Sequence, residues 1–444
     1  MRPTPATDQH AAGSPPVPRR AALPETPVRV RPDGGRARPP AEPFHQPPRE
    51  PVAAAGARVV DRDVRAAVER VLDDVLTDRV TRARAVDPVF AGDLAERVAD
   101  FTRRGGKRIR SRLLWWALRA CGGDEPAAAA ALRVAAALEV LQTCALVQDD
   151  MMDGSLRRRG RPALHADVGA QYARAARPGR VQRFGEAAAV LAGDLALAWA
   201  DDLVAETALT ADTARGVRRL WSDMRTEMVA GQYLDLHGQI TGSRSVPRAL
   251  RAACLKSALY SVERPLALGA ALAGADDATT AGLCWAGRRF GLAFQLRDDL
   301  TDVFAETGRT GRSAGGDVRE GKPTYLVAAA RAGAEATGDR AALAVLDRSL
   351  GDGGLTPAGL EEVREVLVRT GARATVEARI DRLVAQALHR FDDLRLDPAA
   401  GGRLRELLLS AAGATADRPA AHRAGPGPDP AVPLMAPATE EISA

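Results

Sequence analysis

VAAALEVLQTCALVQDDMMD (residues 134–153) and FGLAFQLRDDLTD (residues 290–302) decide how this chain folds. In both stretches apolar residues recur at every third and fourth position, the period of an α-helix, and a nearly uncharged helix runs into two adjacent aspartates with a third behind them. A helical turn stacks Asp149 with Asp153 and Asp298 with Asp302. Like charges so placed cost a few tenths of a kcal/mol, about 0.2–0.5 on an exposed helix, and become favourable when a hard cation such as Mg²⁺ bridges them. Two such clusters facing each other could hold several magnesium ions around one diphosphate.

Spacing alone does not single them out. Asp73–Asp74, Asp201–Asp202, Asp276–Asp277 and Asp392–Asp393 are also paired, and Asp74/Asp78 and Asp393/Asp397 share the four-residue step. Context separates the two chosen clusters: each follows an apolar helix and precedes a basic, glycine-containing loop suited to phosphate.

Around these stretches the 444-residue chain is rich in Ala, Leu and Arg, strong helix formers, and only 4% of it is aromatic. An all-α protein packed with Leu, Ala and Val follows, with room for a long apolar tunnel. The net charge is +5, with much of the arginine excess in the first fifty residues, and no basic stripe interleaved with aromatics appears elsewhere. No nucleic-acid partner is expected. Cys121, Cys144, Cys254 and Cys284 lie apart, without CxxC or metal spacing, and read as buried free thiols of a reducing cytoplasm. No apolar run approaches the roughly 20 uncharged residues of a spanning helix, so a soluble, cytoplasmic protein is expected.

Residues 1–57 hold about half of the prolines with no apolar periodicity, and read as a disordered arm. Residues 413–444 read as a loose tail of similar composition, leaving 58–412 as one helical domain. Helices are expected near 61–80, 108–121, 127–153, 186–207, 213–235, 248–274, 279–304 and 323–332, with 169–183 as an irregular loop.

Of 62 basic residues only Lys107, Lys256 and Lys322 are lysine. A compact ammonium with rotatable donors suits phosphate oxygens or a confined cation site. Arg158 and Arg159 follow the first acidic cluster, where guanidinium forks can grip a second diphosphate. Gly105–Gly106–Lys107 is not a P-loop, because GxxxxGK[ST] is absent and no strand precedes it.

Taken in order, GGKRIR, DDMMD followed by RRG, GQYLDL, KSALYSVERPL, FQLRDDLTD and GGDVREGKPT resemble the trans-isoprenyl diphosphate synthases, or polyprenyl synthetases, over roughly residues 64–412. The resemblance implies the isoprenoid synthase fold, an antiparallel helix bundle around a deep central cavity with the two aspartate motifs facing each other across its mouth. It implies a magnesium-dependent prenyltransferase, with three ions per site, that adds isopentenyl diphosphate to an allylic diphosphate. Asp149, Asp153 and Asp298 would be direct metal ligands, supported by Asp150, Asp299 and Asp302. Arg158, Lys256 and Lys322 would hold the allylic diphosphate, and Lys107, Arg110, Gln142 and Arg159 the isopentenyl diphosphate. Gln232, Asp235, Ser257 and Gln295 would line the reacting centre. Three departures from the usual pattern, Ser257 for Thr, Arg312 for Lys and Gln148 for His, all keep hydrogen-bonding ability.

In such enzymes the residues four and five before the first aspartate, here Ala145 and Cys144, form part of a floor under the growing chain. Two small residues imply a product of twenty carbons or more, with geranylgeranyl diphosphate expected and farnesyl or longer polyprenyl diphosphate as alternatives. A class I terpene cyclase is disfavoured, since its second metal motif begins with Asn and this chain contains no asparagine. A non-catalytic subunit is disfavoured because both acidic clusters are intact. A homodimer is the expected assembly, and the arm could tether the enzyme to an encapsulin shell or another partner.

Overall fold

Side-chain caps start several of the long helices. Asp124 accepts from the Ala127 N–H, Thr210 from Thr213 and Asp276 from Thr279, each satisfying a donor that the first helical turn leaves free. The computed structural model describes residues 56–242, 245–305 and 314–413. Its helices include α1 (Val64–Val86), α2 (Ile109–Ala120), α3 (Glu125–Met152), α4 (Pro178–Ala205), α5 (Ala211–Ile240), α6 (Val246–Ala253), α7 (Arg264–Ala273) and α8 (Asp277–Phe304), followed by α9 (Tyr325–Thr337), α10 (Pro357–Arg369), α11 (Ala372–Asp392) and α12 (Pro398–Ala411). A π-helical stretch, Cys254–Glu263, joins α6 to α7. Among the described residues the only strands are β1 (Arg157–Arg158) and β2 (Arg161–Pro162), an antiparallel ribbon just after the first aspartate cluster.

One core cluster gathers buried side chains of α1, α3 and α4, including Leu72, Leu76, Leu138 and Leu141. A second gathers α2, the π segment and α8 to α12, including Phe290, Leu296, Val363 and Ile380. Helix α3 packs along α4, and α8 lies between the π segment and α11. The all-α expectation holds.

Several expectations are corrected. Residues 169–183 are not one irregular loop: Leu164–Gln171 is a helix and α4 begins at Pro178. Proline at a first helical position needs no N–H partner, so the polar start of α4 forms a solvent-facing turn. Residues 88–103, unassigned from sequence, form helices Pro88–Phe90 and Glu96–Arg103 around a π-helical stretch, Ala91–Ala95. Cys144 and Cys254 are buried, but Cys121 and Cys284 are only half-buried; burial raises all four thiol pKa values, to about 11 for Cys121 and Cys254 and about 12 for Cys144 and Cys284. Helix α3 is long and apolar enough to cross a bilayer by length and composition, yet most of its apolar stretch is buried inside the protein, as in a core helix. Ala57, assigned to the arm, is 1% exposed in a short helix and its N–H donates to Glu125 at 2.9 Å. The rest of the arm, residues 1–55, lies outside the described residues, as do Arg312 and the tail beyond Gly413.

Candidate active site

Helix α3 brings Asp149, and α8 brings Asp298, Asp299 and Asp302, to one cavity of about 550 Å³, within the usual range for ligand sites; Asp150 and Asp153 do not line it. Asp149, Asp298, Asp299 and Asp302 line it, together with Lys256, Ser257, Lys322, Arg158, Gln232, Asp235 and Gln295. The wall continues into apolar groups, among them Ala145, Leu146, Met228, Val229 and Phe294. Charged and apolar groups thus line one space.

The lysines bridge the acidic groups. Lys256 Nζ lies 3.1 Å from Asp149 Oδ1 and 2.7 Å from Asp235 Oδ2, joining the π segment to α3 and α5. That approach depends on Gly231 of α5, where a Cβ atom would fall 2.3 Å from the Lys256 backbone nitrogen. Lys322 Nζ lies 2.9 Å from Asp153, 2.5 Å from Glu320 and 3.5 Å from Asp317. Arg158 donates through Nε to Asp150 at 2.6 Å and through Nη2 to Asp149 at 3.2 Å. Gln295 donates to Asp299 at 2.7 Å, which fixes its amide beside the cavity.

Cations do not balance the acidic set evenly. Burial works to raise the Asp149 pKa, but Lys256, Lys322 and Arg158 outweigh it and hold the carboxyl below its ordinary range. Burial wins at Asp150 despite Arg158, and it pushes Asp153 up to about 6 despite Lys322. Burial, reinforced by Asp317, raises Asp298, lifts Asp302 to about 7 and pushes Asp299 well above the carboxylate range. Burial opposes the charge of Lys256, yet Asp149 and Asp235 more than compensate and keep it protonated. The second aspartate set is therefore short of positive charge.

The donor set fits a hard divalent cation. Asp150 Oδ2 and Asp153 Oδ1 are buried without a hydrogen-bond partner. Among the described residues no three carboxylate, histidine or cysteine side chains converge tightly enough to hold an ion unaided. Magnesium commonly completes its six oxygens with water and substrate phosphate, so carboxylates that two helices bring to one cavity suit it.

The residues assigned to isopentenyl diphosphate divide between two places. Arg110 and Gln142 line the cavity; the Arg110 Nη2 donates to Ser261 Oγ at 2.6 Å, its guanidinium lies 4.5 Å over the Tyr260 ring, and Gln142 Oε1 is buried without a partner. Arg159 lines an adjacent basic cleft with Arg97, Arg104 and Arg161, and Arg158 borders both spaces. Burial, with Arg108 and Arg158 nearby, lowers the Arg159 pKa. Lys107 is exposed and lines neither space. Of the two floor residues Ala145 faces the cavity, whereas Cys144 is buried in the core and does not line it.

Sequence reasoning missed Asp317. Its N–H donates to Asp302 Oδ2 at 3.0 Å and its carboxyl lines the cavity beside Lys322. The signal was present in GGDVREGKPT, which was read for its lysine alone. The rival aspartate pairs have ordinary partners: Asp73 meets Arg103, Asp201 meets Trp221, Asp202 meets Arg79, Asp276 caps α8 and Asp392 meets Arg405.

A family model described as Polyprenyl synthetase matches residues 93–350. The chain is 36% identical over 243 residues to a geranylgeranyl diphosphate synthase of Mycobacterium tuberculosis, covering 54% of this chain and 62% of that protein. It is 31% identical over 352 residues to a nonaprenyl diphosphate synthase of the same organism, covering 78% of this chain and 92% of that protein. Among solved structures it resembles the geranylgeranyl pyrophosphate synthase of Corynebacterium glutamicum, complexed with isoprenyl diphosphate and magnesium, with a TM-score of 0.73 and 34% identity over 78% of this chain and 98% of that one. With its helical fold and paired aspartate helix ends, the chain belongs to the polyprenyl synthetase family of trans-prenyltransferases, the trans-isoprenyl diphosphate synthases.

Proposed function

We propose that this chain condenses an allylic diphosphate with isopentenyl diphosphate to give a trans-polyprenyl diphosphate of twenty carbons or more, geranylgeranyl diphosphate foremost. The observation that carries the reading is that Asp149 and Asp298, from separate helices, line one cavity with Lys256, Lys322 and Arg158. The solved relative with bound isoprenyl diphosphate and magnesium supports the same ligands here.

Asp149, Asp153 and Asp298 are the proposed direct ligands of three magnesium ions, with Asp150, Asp299 and Asp302 supporting them. Bound magnesium supplies positive charge that draws electron density from the leaving diphosphate. Lys256, Lys322 and Arg158 exchange carboxylate partners for diphosphate oxygens and stabilise the charge that grows as the allylic C–O bond breaks. Its electron pair leaves with the diphosphate, and an allylic carbocation remains. Arg110 and Gln142 hold isopentenyl diphosphate so that its alkene forms the new C–C bond. Ser257 Oγ and the amides of Gln232 and Gln295 offer dipoles that stabilise the cation without a nucleophile strong enough to trap it. The departing diphosphate removes the proton.

Chain length rests on Ala145, a small residue among the cavity's lining groups, where a larger side chain would take up space. The test is chromatography of products from labelled isopentenyl diphosphate with each allylic primer. Products of twenty or more carbons are expected; a purified enzyme that stops at fifteen removes the length assignment, and one that consumes neither substrate removes the reaction.

A further inference from the structure

GGKRIR contributes Arg110 to the proposed isopentenyl diphosphate site, while Lys107 stays exposed outside it, and Arg108 is left without a role. Arg108 has a positive φ of 52°, which among the described non-glycine residues only Arg159 shares. A left-handed residue with a long side chain persists only where its surroundings hold it. Here they do. The side chain is 2% exposed and buried against Glu139, whereas Arg110 lines the cavity.

The Arg108 guanidinium joins two chain segments, α3 and residues 102–103. Its Nη1 donates to Glu139 Oε2 of α3 at 2.9 Å, and its Nη2 donates to the carbonyls of Thr102 at 2.8 Å and Arg103 at 3.0 Å. Ser111, one turn into α2, donates to the other Glu139 oxygen at 2.5 Å. Residues 102–108 therefore wrap around a buried guanidinium pinned to α3. Gly105 lies directly over it: a Cβ there would fall 1.9 Å from Arg108 Nη1. Thr102 and Thr143 hydroxyls, 2.7 Å apart, tie the same loop to α3 a second time.

Gln142 follows Glu139 by three residues, on the same side of α3, while Lys107 and Arg110 flank Arg108 in sequence. We infer that the Arg108–Glu139 pair, with Gly105 above it, is a positioning device that sets Arg110, at the start of α2, against Gln142 of α3 for isopentenyl diphosphate. Neither residue of the pair lines the cavity, so both act through others. Lys256, Lys322 and Arg158 of the allylic site are not among the hydrogen-bond partners of Arg108 or Glu139, so the pin does not hold them directly. The inference rests on the proposed function.

The test compares Gly105→Ala, which displaces the guanidinium without removing a charge, with Arg108→Lys, which keeps the charge but cannot fork to three acceptors. Arg119→Lys is the control, because Arg119 pairs with Asp61 at the far end of α2. KM is measured separately for each substrate, and isopentenyl diphosphate alone is titrated calorimetrically. Both loop variants are expected to raise KM for isopentenyl diphosphate about tenfold, with a matching loss of calorimetric affinity and an allylic KM within about twofold of wild type. The control, if it lowers thermal stability at all, leaves both KM values in place. Equal movement of the two KM values, movement of the allylic one alone, or no movement overturns the inference. A wild-type enzyme that does not consume isopentenyl diphosphate sinks the functional reading instead.

Discussion

Replacing Lys322 with Gln tests the electrostatics of the site in the absence of ligand. The ammonium touches Asp153 and Glu320 and lies within 3.5 Å of Asp317, with its side chain 15% exposed. Breaking such a buried pair by removing one partner costs about 3–5 kcal/mol. For a folded unit of about 350 residues, an unfolding entropy of about 2.1 cal/mol/K per residue converts this to a fall in Tm of roughly 4–7 °C. Its acidic neighbours raise the Lys322 pKa above its ordinary value, so its own contribution is constant below pH 10.

The pH dependence comes from the carboxyls. Asp153, at about 6, and Asp302, at about 7, have folded pKa values above the ordinary 3.8, so their charge costs the fold stability as pH rises through that interval. Lys322 lowers both, and its loss pushes both higher, so the variant takes up protons at pH 6 that it lacks at pH 8. The penalty should be about 1–2 kcal/mol smaller at pH 6 than at pH 8. Thermal unfolding in EDTA at both values measures it. A penalty that is equal at the two pH values, or larger at pH 6, refutes this reasoning, as does a Tm within a degree of wild type at pH 8.

Asp149→Asn and Asp298→Asn should each lower kcat for condensation by about 10² to 10³, the scale of losing one preorganised electrostatic group; retention within tenfold would remove them from the metal set. Asp298→Asn should leave Tm unchanged or raise it, since burial already disfavours that charge, and a clear loss of stability would contradict the placement. Ala145→Phe should shorten the product, read by chromatography, and an unchanged distribution would show that the wall lies elsewhere. Magnesium affinity should rise between pH 6 and pH 8 as Asp153 and Asp302 lose their protons, and a flat titration would show that neither carboxyl competes with the ion.

The aspartate clusters were legible because a helix period and a charge cluster are both written in composition and spacing. The three lysines stood out against an arginine-rich chain, and two of them, Lys256 and Lys322, lie among the acidic groups. Lys107 does not, because its direction depends on the left-handed turn at Arg108, which no residue-type preference encodes. The facing of Ala145 rather than Cys144 is a question of helix phase, about 100° per residue, against neighbours distant in sequence. The π-helical register of 254–263 changes hydrogen-bond partners but not residue types, so KSALYSVERPL reads as ordinary helix. The start of α4 was hidden because its first two turns are mostly polar and exposed, and the positions they bury, Val181 and Gly185, are too few and small to mark an apolar stripe.

The most direct test titrates magnesium calorimetrically into the enzyme with and without an unreactive allylic thiolodiphosphate. If Asp149 and Asp298 share ions around one diphosphate, the analogue should tighten magnesium binding at least about tenfold, and either Asn substitution should abolish that coupling. Magnesium and analogue binding independently, or coupling that survives Asp298→Asn, would contradict the account.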